Sequence, residues 1–143
     1  MFLGTYTPRL DDKGRLALPA KFRPELEGGL VICKGLDRCL FVFPTAEFRN
    51  FTKAIGEAPI SDKRVRNYGR TLFAGASNEV LDSQGRVTVP PQLRDYGNLS
   101  KDVVVVGVNT RLEVWESEAW ATWSADADTA FADIAEEVLP GYF

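Results

Sequence analysis

The sequence predicts a mainly β fold with short helices (α+β), built from two tandem repeats in one chain. The first observation is a duplicated pattern, Asp-x-x-Gly-Arg-x-x-x-Pro-x-x-x-Arg, which spans residues 11–23 and returns 71 positions later over residues 82–94. The second is the alternation of polar or small residues with apolar ones inside each copy, the period of a half-buried strand. A period this long, present only twice, indicates two related half-domains rather than a solenoid.

The repeat extends beyond this motif in both directions. Upstream, Phe2 and Gly4 match Phe73 and Gly75 at the same offset. Downstream of Arg23 the register slips by one residue, and the matched pairs are Gly35/Gly107, Leu40/Leu112, Val42/Val114 and Phe43/Trp115. We therefore divide the chain into a first repeat (1–55), a basic helical connector (56–71), a second repeat (72–116) and an acidic amphipathic C-terminal helix (117–143).

Each motif begins with a turn that leads into a strand. The Asp-x-x-Gly sequence predicts a tight turn, in which Gly14 and Gly85 take a backbone conformation that a side chain disfavours. A Pro ends each strand, because it cannot donate to a ladder, and it can open a one-turn helix. The predicted strands are 15–19 and 86–90, and the helical turns are 20–23 and 91–94.

Apolar runs predict four further strands, at residues 29–34, 39–43, 103–108 and 112–115. Two of these, around Leu30-Val31-Ile32 and Val103-Val104-Val105-Val106, are apolar on both faces and are expected to lie deep in the core.

Three longer helices fill the gaps. We expect Thr45 to cap a helix over residues 46–55, Ser61 to cap one that reaches Leu72, and Ser117 to cap the C-terminal helix. Ser124-Ala125-Asp126 is a point at which the last helix can be interrupted. Its apolar stripe is interpreted as a packing face and comprises Trp120, Trp123, Ala127, Phe131, Ile134 and Val138.

The composition is that of a small soluble globular protein. The chain has 143 residues, of which 45% are hydrophobic and 26% charged, enough for one compact core. It shows no secretory leader and no apolar run near the ~18 residues of a membrane span, so we expect a cytoplasmic protein without a membrane partner. Cys33 and Cys39 lie in apolar segments and are interpreted as buried reduced thiols.

The absence of histidine argues against an enzyme. It excludes histidine-dependent triads, proton shuttles and histidine metal ligands. No phosphate-binding loop or dinucleotide fingerprint is present. Each repeated Asp is followed four residues later by Arg, which keeps a carboxylate ionised, whereas acid catalysis usually requires a raised pKa. We predict no catalytic residue, no metal, no cofactor and no small-molecule substrate.

The charge is distributed unevenly along the chain. The net charge is -3, yet all 17 basic residues lie at or before Arg111, against 12 acids in the same part. The eight acids from Glu113 onward have no base among them. Such a polarised molecule can offer a basic face to phosphates while remaining acidic overall.

The chemistry of the repeated turn suits a contact with nucleic acid. Arg15 and Arg86 sit where a tight turn meets a strand, and Asp11 and Asp82 can orient their guanidinium groups. A pre-oriented guanidinium suits guanine edges and phosphate oxygens. Lys13 and Arg9 add charge near the first copy. From spacing alone, a purely structural Asp–Arg pair and a DNA contact remain equally open.

This double motif, in a chain of about this length, resembles the MraZ family of the SpoVT-AbrB group of bacterial regulators. The resemblance covers most of residues 1–125. It implies a swapped-hairpin, double-split β-barrel formed within one chain by the two repeats. The family's Asp-x-x-x-Arg signature falls on Asp11 with Arg15 and on Asp82 with Arg86.

The resemblance also implies a function. It is that of a nucleoid-associated transcriptional regulator, taken here as a repressor, of the bacterial division and cell-wall gene cluster. Such a protein binds short direct repeats in double-stranded promoter DNA and assembles into rings. Ser83 and Gln84 replace Asp12 and Lys13 in the second copy, so its loop is less basic and we expect it to contribute less to DNA affinity.

Two other classes of protein stay open. One is a protein–protein adaptor that uses the C-terminal aromatic stripe, with Trp120, Trp123 and Phe131 as its anchor. The other is an antitoxin-like regulator, in which the toxin-binding part is typically a disordered tail. The helical periodicity of this tail argues against the second class.

Overall fold

A computed structural model describes residues 1–143. Every strand pairing is antiparallel, and the strands form a six-stranded sheet and a separate two-stranded ribbon. The strands are β1 (Phe2–Tyr6), β2 (Arg15–Ala17), β3 (Leu30–Lys34), β4 (Leu40–Pro44), β5 (Ser77–Glu79), β6 (Arg86–Thr88), β7 (Val103–Asn109) and β8 (Arg111–Glu116).

The helices lie between these strands and after them. A 3-10 turn over Ala20–Phe22 precedes the first helix. No helix combines the length and the apolar character that a membrane span requires. The helices are α1 (Arg23–Leu26), α2 (Thr45–Glu57), α3 (Lys63–Ala74), α4 (Pro91–Tyr96), α5 (Ser117–Ser124) and α6 (Ala127–Val138).

The two repeats exchange their first strands. The order of the large sheet is β1-β7-β8-β4-β3-β5, so β1 pairs with the second repeat and β5 with the first. The predicted fold class is confirmed: the protein is mainly β with short helices and is built from two tandem repeats. The six-stranded ladder ends at β1 and β5, and its closure into a barrel stays a prediction.

The large sheet is covered on both faces. One face packs on the ribbon and the short helices, through Leu16, Val87, Phe22 and Leu93. The opposite face carries a smaller core, in which residues of β3, β4, β7 and β8 pack against α2, α3 and α5. The ribbon and the longer helices therefore lie on opposite sides of the sheet.

This layering confirms the prediction of two deeply buried runs, except at Val106, which is only half-buried. Leu30, Val31 and Ile32 are each at most 4% exposed, as are Val103, Val104 and Val105. Alternate residues of such strands face the two cores, so neither face can be polar.

Both cysteines are buried and free, as predicted. Burial raises the pKa of each thiol to about 12, with nearby Glu113 and Asp37 adding to the effect at Cys39. The thiols are therefore protonated and unreactive at neutral pH.

The predicted N-caps were each wrong by one residue. Thr45 is the first residue of α2 and caps nothing, since Pro44 precedes it without a side-chain hydrogen bond. Instead of Ser61, Asp62 caps α3 by accepting from Arg64 N at 2.9 Å. Instead of Ser117, Glu116 caps α5 by accepting from Ala119 N at 2.7 Å. In the last two cases a carboxylate is the stronger acceptor at the positive end of a helix.

The sequence match between Phe2 and Phe73 is not a structural equivalence. Phe2 is fully buried in β1, whereas Phe73 lies in α3 and is 45% exposed. Helix α3 continues to Ala74, so β5 begins only at Ser77. Both β1 and β5 were missed as strands, because neither shows a clear apolar alternation.

The C-terminal segment is two helices, interrupted where the sequence indicated. Trp120 packs on buried Trp115 with ring centroids 5.3 Å apart, which anchors α5 to the sheet. Helix α6 buries no residue at all.

Candidate nucleic-acid interface

The first repeated turn is held together by one carboxylate. Asp11 Oδ1 accepts from the backbone N–H groups of Lys13 and Arg15, both at 2.9 Å, and Asp11 Oδ2 accepts from Arg15 Nε at 2.7 Å. Gly14 has a φ of +76°, a conformation that L side chains rarely adopt. The motif therefore fixes both the turn and the direction of the Arg15 side chain.

The second turn repeats this geometry. Asp82 Oδ1 accepts from Gln84 N and Arg86 N at 2.9 Å, and Asp82 Oδ2 accepts from Arg86 Nε at 2.8 Å. Gly85 has a φ of +73°. In both copies only Nε of the arginine is held, so the two Nη groups have no protein acceptor.

These hydrogen bonds keep both carboxylates ionised. The pKa of Asp11 lies below its ordinary value, chiefly because the Arg15 backbone N–H donates to it and also because the Arg15 guanidinium is its neighbour. Arg86 lowers the pKa of Asp82 in the same way. A depressed pKa suits an orienting anion and not a general acid.

The ribbon places both arginines on one surface. In the β2–β6 pairing, Arg15 lies opposite Thr88 and Ala17 lies opposite Arg86. Paired and alternate residues share a face of a sheet, so Arg15 and Arg86 project from the same side. The remaining pair, Leu16 and Val87, points into the core. The outer face of the ribbon is therefore the arginine face.

Each turn also receives an arginine from the other repeat. A Cβ added at Gly14 would lie only 2.9 Å from Arg94 Cζ, and one added at Gly85 would collide with the Arg23 side chain. Two backbone hydrogen bonds tie the same segments together: Val89 N donates to Gly14 O at 2.8 Å, and Leu18 N donates to Gly85 O at 3.1 Å.

Sequence reasoning did not identify Arg23 and Arg94 as site residues. Arg23 Nε donates to Leu18 O at 3.1 Å, whereas Arg94 Nε is buried without a partner. Neither forms a salt bridge. Both are the last residue of the repeated motif, a signal present in the sequence. Their position across the pseudo-symmetry axis, however, is visible only once the repeats are assembled.

The two remaining predicted residues lie at the edge of this surface. Lys13 is exposed within the first turn, with its ammonium group unpaired. Arg9 forms an isolated β-bridge with Asp102, just before β7, and its Nε lies 3.6 Å from Asp102 Oδ1. Both side chains are largely exposed. Because Arg9 lies beside Asp102 and Lys13 has no acidic partner, Lys13 is the more available of the two cations.

The comparisons with known proteins all point to one family. A family model for the MraZ protein, described as antitoxin-like, matches residues 1–71 and again residues 72–139. The Transcriptional regulator MraZ of Thermobifida fusca is 57% identical over 141 residues, 99% of each chain. Proteins of the same name from Parafrankia sp. and Micrococcus luteus are 57% and 53% identical, over 99% and 100% of each chain.

Proposed function

The chain belongs to the MraZ family and is a DNA-binding transcriptional regulator, not an enzyme, and we propose that it represses the bacterial division and cell-wall gene cluster. In this proposal the protein is cytoplasmic and nucleoid-associated, and it binds direct repeats in the promoter through its two Asp-x-x-Gly-Arg turns. Several copies assemble into a ring and present these turns to successive repeats.

One observation carries the proposal: Arg15 and Arg86 project from the same face of a two-stranded ribbon, each with its Nη groups free. The major groove of B-DNA is about 12 Å wide and admits such a ribbon. An Nη pair can then donate to O6 and N7 of guanine, because the aspartate has already fixed the plane of the guanidinium.

Neighbouring basic residues supply the contacts that position the protein. Lys13, Arg23 and Arg94 lie in or against the two turns and are free of acidic partners. Contacts of this kind to phosphate set register and affinity but carry no sequence information. Base reading is therefore assigned to Arg15 and Arg86, and phosphate binding to the three residues around them.

Self-association makes up for a small binding surface. A chain with a net charge of -3 has few basic residues to offer one DNA site. Linking several sites in one assembly can raise avidity by roughly 10²–10⁴ when the spacing of the DNA repeats matches that of the turns.

The test is fluorescence anisotropy with the DNA upstream of the protein's own gene, against a scrambled duplex and over a salt series. The proposal expects a preference for the promoter that weakens with salt and is lost in Arg15→Ala. Lys53→Ala, which removes an exposed charge from α2 on the other side of the sheet, is the matched control. Equal binding of both duplexes at low salt would contradict the proposal.

An adaptor is the second candidate function, favoured by the exposure of Trp123 and Phe131, at 52% and 72%. An adaptor has no need of two arginine turns. If the protein is an adaptor, the promoter duplex and the scrambled duplex should bind equally and weakly in the anisotropy experiment.

A further inference from the structure

The outer face of the ribbon consists of four side chains, two arginines and two small residues. Arg15 and Ala17 belong to β2, and Arg86 and Thr88 belong to β6, while the residue between each pair is buried. The antiparallel register sets Thr88 directly opposite Arg15, and Ala17 directly opposite Arg86. Each arginine therefore has one small residue beside it on the same outward face.

The two small residues break the symmetry of this face. Ala17 and Thr88 occupy the same position in the two repeats, as do Arg15 and Arg86. The pseudo-two-fold axis thus relates arginine to arginine, but a bare methyl group to a branched alcohol. Both small side chains are exposed, so packing in the core does not account for the difference between them.

The two small residues also differ in what they offer to a base edge. Ala17 presents only a methyl group, which suits the C5 methyl of thymine. Thr88 adds a hydroxyl that can donate and accept, and its β-branched side chain is stiff about χ1. In the major groove a hydroxyl can bond to the polar edge of a base, whereas a methyl group discriminates only by apolar contact.

The spacing of the four side chains fits neighbouring base pairs. Directly opposite residues of an antiparallel pair have Cβ atoms about 4.5–5.5 Å apart. Successive base pairs of B-DNA are separated by about 3.4 Å along the helix axis. An arginine that donates to a guanine therefore places its small neighbour near a base pair one or two steps away.

A symmetric face and an asymmetric face select different DNA sequences. Two-fold symmetric proteins bind pseudo-palindromic sites, because the two strands of B-DNA present equivalent backbones. A ribbon with unlike ends binds best to a non-palindromic sequence, and in one of two orientations. We infer that Thr88 and Ala17 are specificity-determining residues that set the direction in which the ribbon lies on each promoter repeat. This role rests on the proposed function, in which the ribbon enters the major groove.

The turns at the two ends of the ribbon differ as well, but in another kind of contact. One end carries the charged Asp12 and Lys13, and the other carries the neutral Ser83 and Gln84. Contacts from such residues to phosphate carry no sequence information. They contribute to affinity in either orientation, so an exchange of the two small residues separates base reading from this difference.

The first test is fluorescence anisotropy with short duplexes that carry one promoter repeat, in which each base pair is changed in turn. Thr88→Ala is expected to lose roughly 3- to 10-fold of discrimination at one base pair and to keep it at the others. Thr5→Ala makes the same change at an exposed strand position of the large sheet and should keep the whole pattern. An unchanged pattern in Thr88→Ala would overturn the inference.

The second test measures orientation by affinity cleavage of the same duplex. Ser83→Cys provides one exposed thiol in the second turn for an iron chelate, since Cys33 and Cys39 are buried. Cleavage is expected on one side of the repeat, and exchanging the small residues (Ala17→Thr with Thr88→Ala) is expected to move it to the other side. Cleavage on both sides before the exchange, or on the same side after it, would overturn the inference.

These outcomes are distinguishable from a failure of the proposed function. Every variant keeps both Asp–Arg pairs and changes only exposed residues, so the melting temperature is expected to stay within a few degrees of the wild type. A wild type without preference for the promoter over scrambled DNA would overturn the proposed function and the inference together. A wild type with that preference, and with cleavage unmoved by the exchange, would overturn only the role of Thr88 and Ala17.

Discussion

Leu16 lies directly opposite Val87 at the centre of the β2–β6 ribbon. The two residues occupy the same position in the two repeats, so the register of the ribbon is symmetric about this pair. Any residue of the first turn therefore has its counterpart at the same distance from the axis on the other strand. Because of this symmetry, the duplicated motif places both arginine turns on one surface.

A second pair on the axis shows that the symmetry extends through the molecule. In the large sheet Phe41 lies opposite Glu113, again the same position in the two repeats. The surrounding register is symmetric, with Leu40 opposite Val114 and Val42 opposite Leu112. The ribbon and the sheet thus share one pseudo-two-fold axis, although the two side chains on it are chemically different here.

The two arginines are expected to contribute unequally to DNA binding. Arg15→Ala should weaken promoter binding more than Arg86→Ala, because Lys13 adds a free charge beside Arg15 where the second turn has only Gln84. A base-reading arginine should lose about 1–3 kcal/mol of discrimination on truncation. Anisotropy with both variants against specific and scrambled DNA measures this. Equal losses, or a larger loss for Arg86→Ala, would contradict it.

Stability is expected to fall in acid because of the two turn carboxylates. The folded pKa of Asp11 and of Asp82 lies below the ordinary 3.8. Their contribution is therefore fully present above about pH 4 and is lost as the pH falls through the depressed values. Urea unfolding between neutral pH and about pH 3 should show a shallower decline for Asp11→Asn with Asp82→Asn.

A comparison variant outside the turns is Asp62→Asn, since Arg64 also lowers the pKa of Asp62. That variant should change the acid profile while leaving promoter binding intact. If the double turn variant kept the full acid dependence of the wild type, the turns would not be its source.

Glycine at the turn is expected to be required for backbone and packing reasons together. Gly14→Ala places a side chain at a φ of +76° and against Arg94. The left-handed conformation alone costs roughly 1–2 kcal/mol. Gly56→Ala is the control, since it lies in α2 with nothing within 4 Å of the added Cβ and should stabilise by roughly 0.5–1 kcal/mol. Chemical denaturation of both variants measures the difference, and a neutral Gly14→Ala would refute the packing described here.

Arg94 is expected to serve binding more than stability. Its Nε is buried without a partner, and Arg94→Met removes that unsatisfied donor while keeping an apolar stem. The free energy of unfolding should change by less than about 1 kcal/mol. Promoter affinity should fall, and the slope of log affinity against log salt should drop by roughly one unit if a phosphate contact is lost.

Arg23→Met provides the comparison, because Arg23 Nε donates to Leu18 O. It should cost about 1 kcal/mol more in stability than Arg94→Met. An Arg94→Met variant with unchanged affinity and salt slope would show that Arg94 only fills space against Gly14.

Much of the fold was readable in the sequence, because the determining signals were local. The Asp-x-x-Gly turns, the prolines that end β2 and β6, and the doubly apolar runs of β3 and β7 each dictate backbone structure within a few residues. The same locality made the Asp11–Arg15 and Asp82–Arg86 pairs predictable, since a carboxylate can reach a side chain four residues away across a tight turn. Helix caps were less certain, because adjacent residues competed for the same N–H groups.

The exchange of strands between the repeats was decided only by the tertiary structure. Nothing local requires β1 to pair with β7, Arg94 to lie on Gly14, or Arg23 to lie on Gly85. These contacts join residues some 60 to 110 positions apart, and they form because each repeat alone leaves an apolar sheet face and an unpaired strand edge. Covering both at once requires the other repeat. The sequence by itself therefore determined the two arginine turns, and only assembly around the pseudo-two-fold axis placed them on one face.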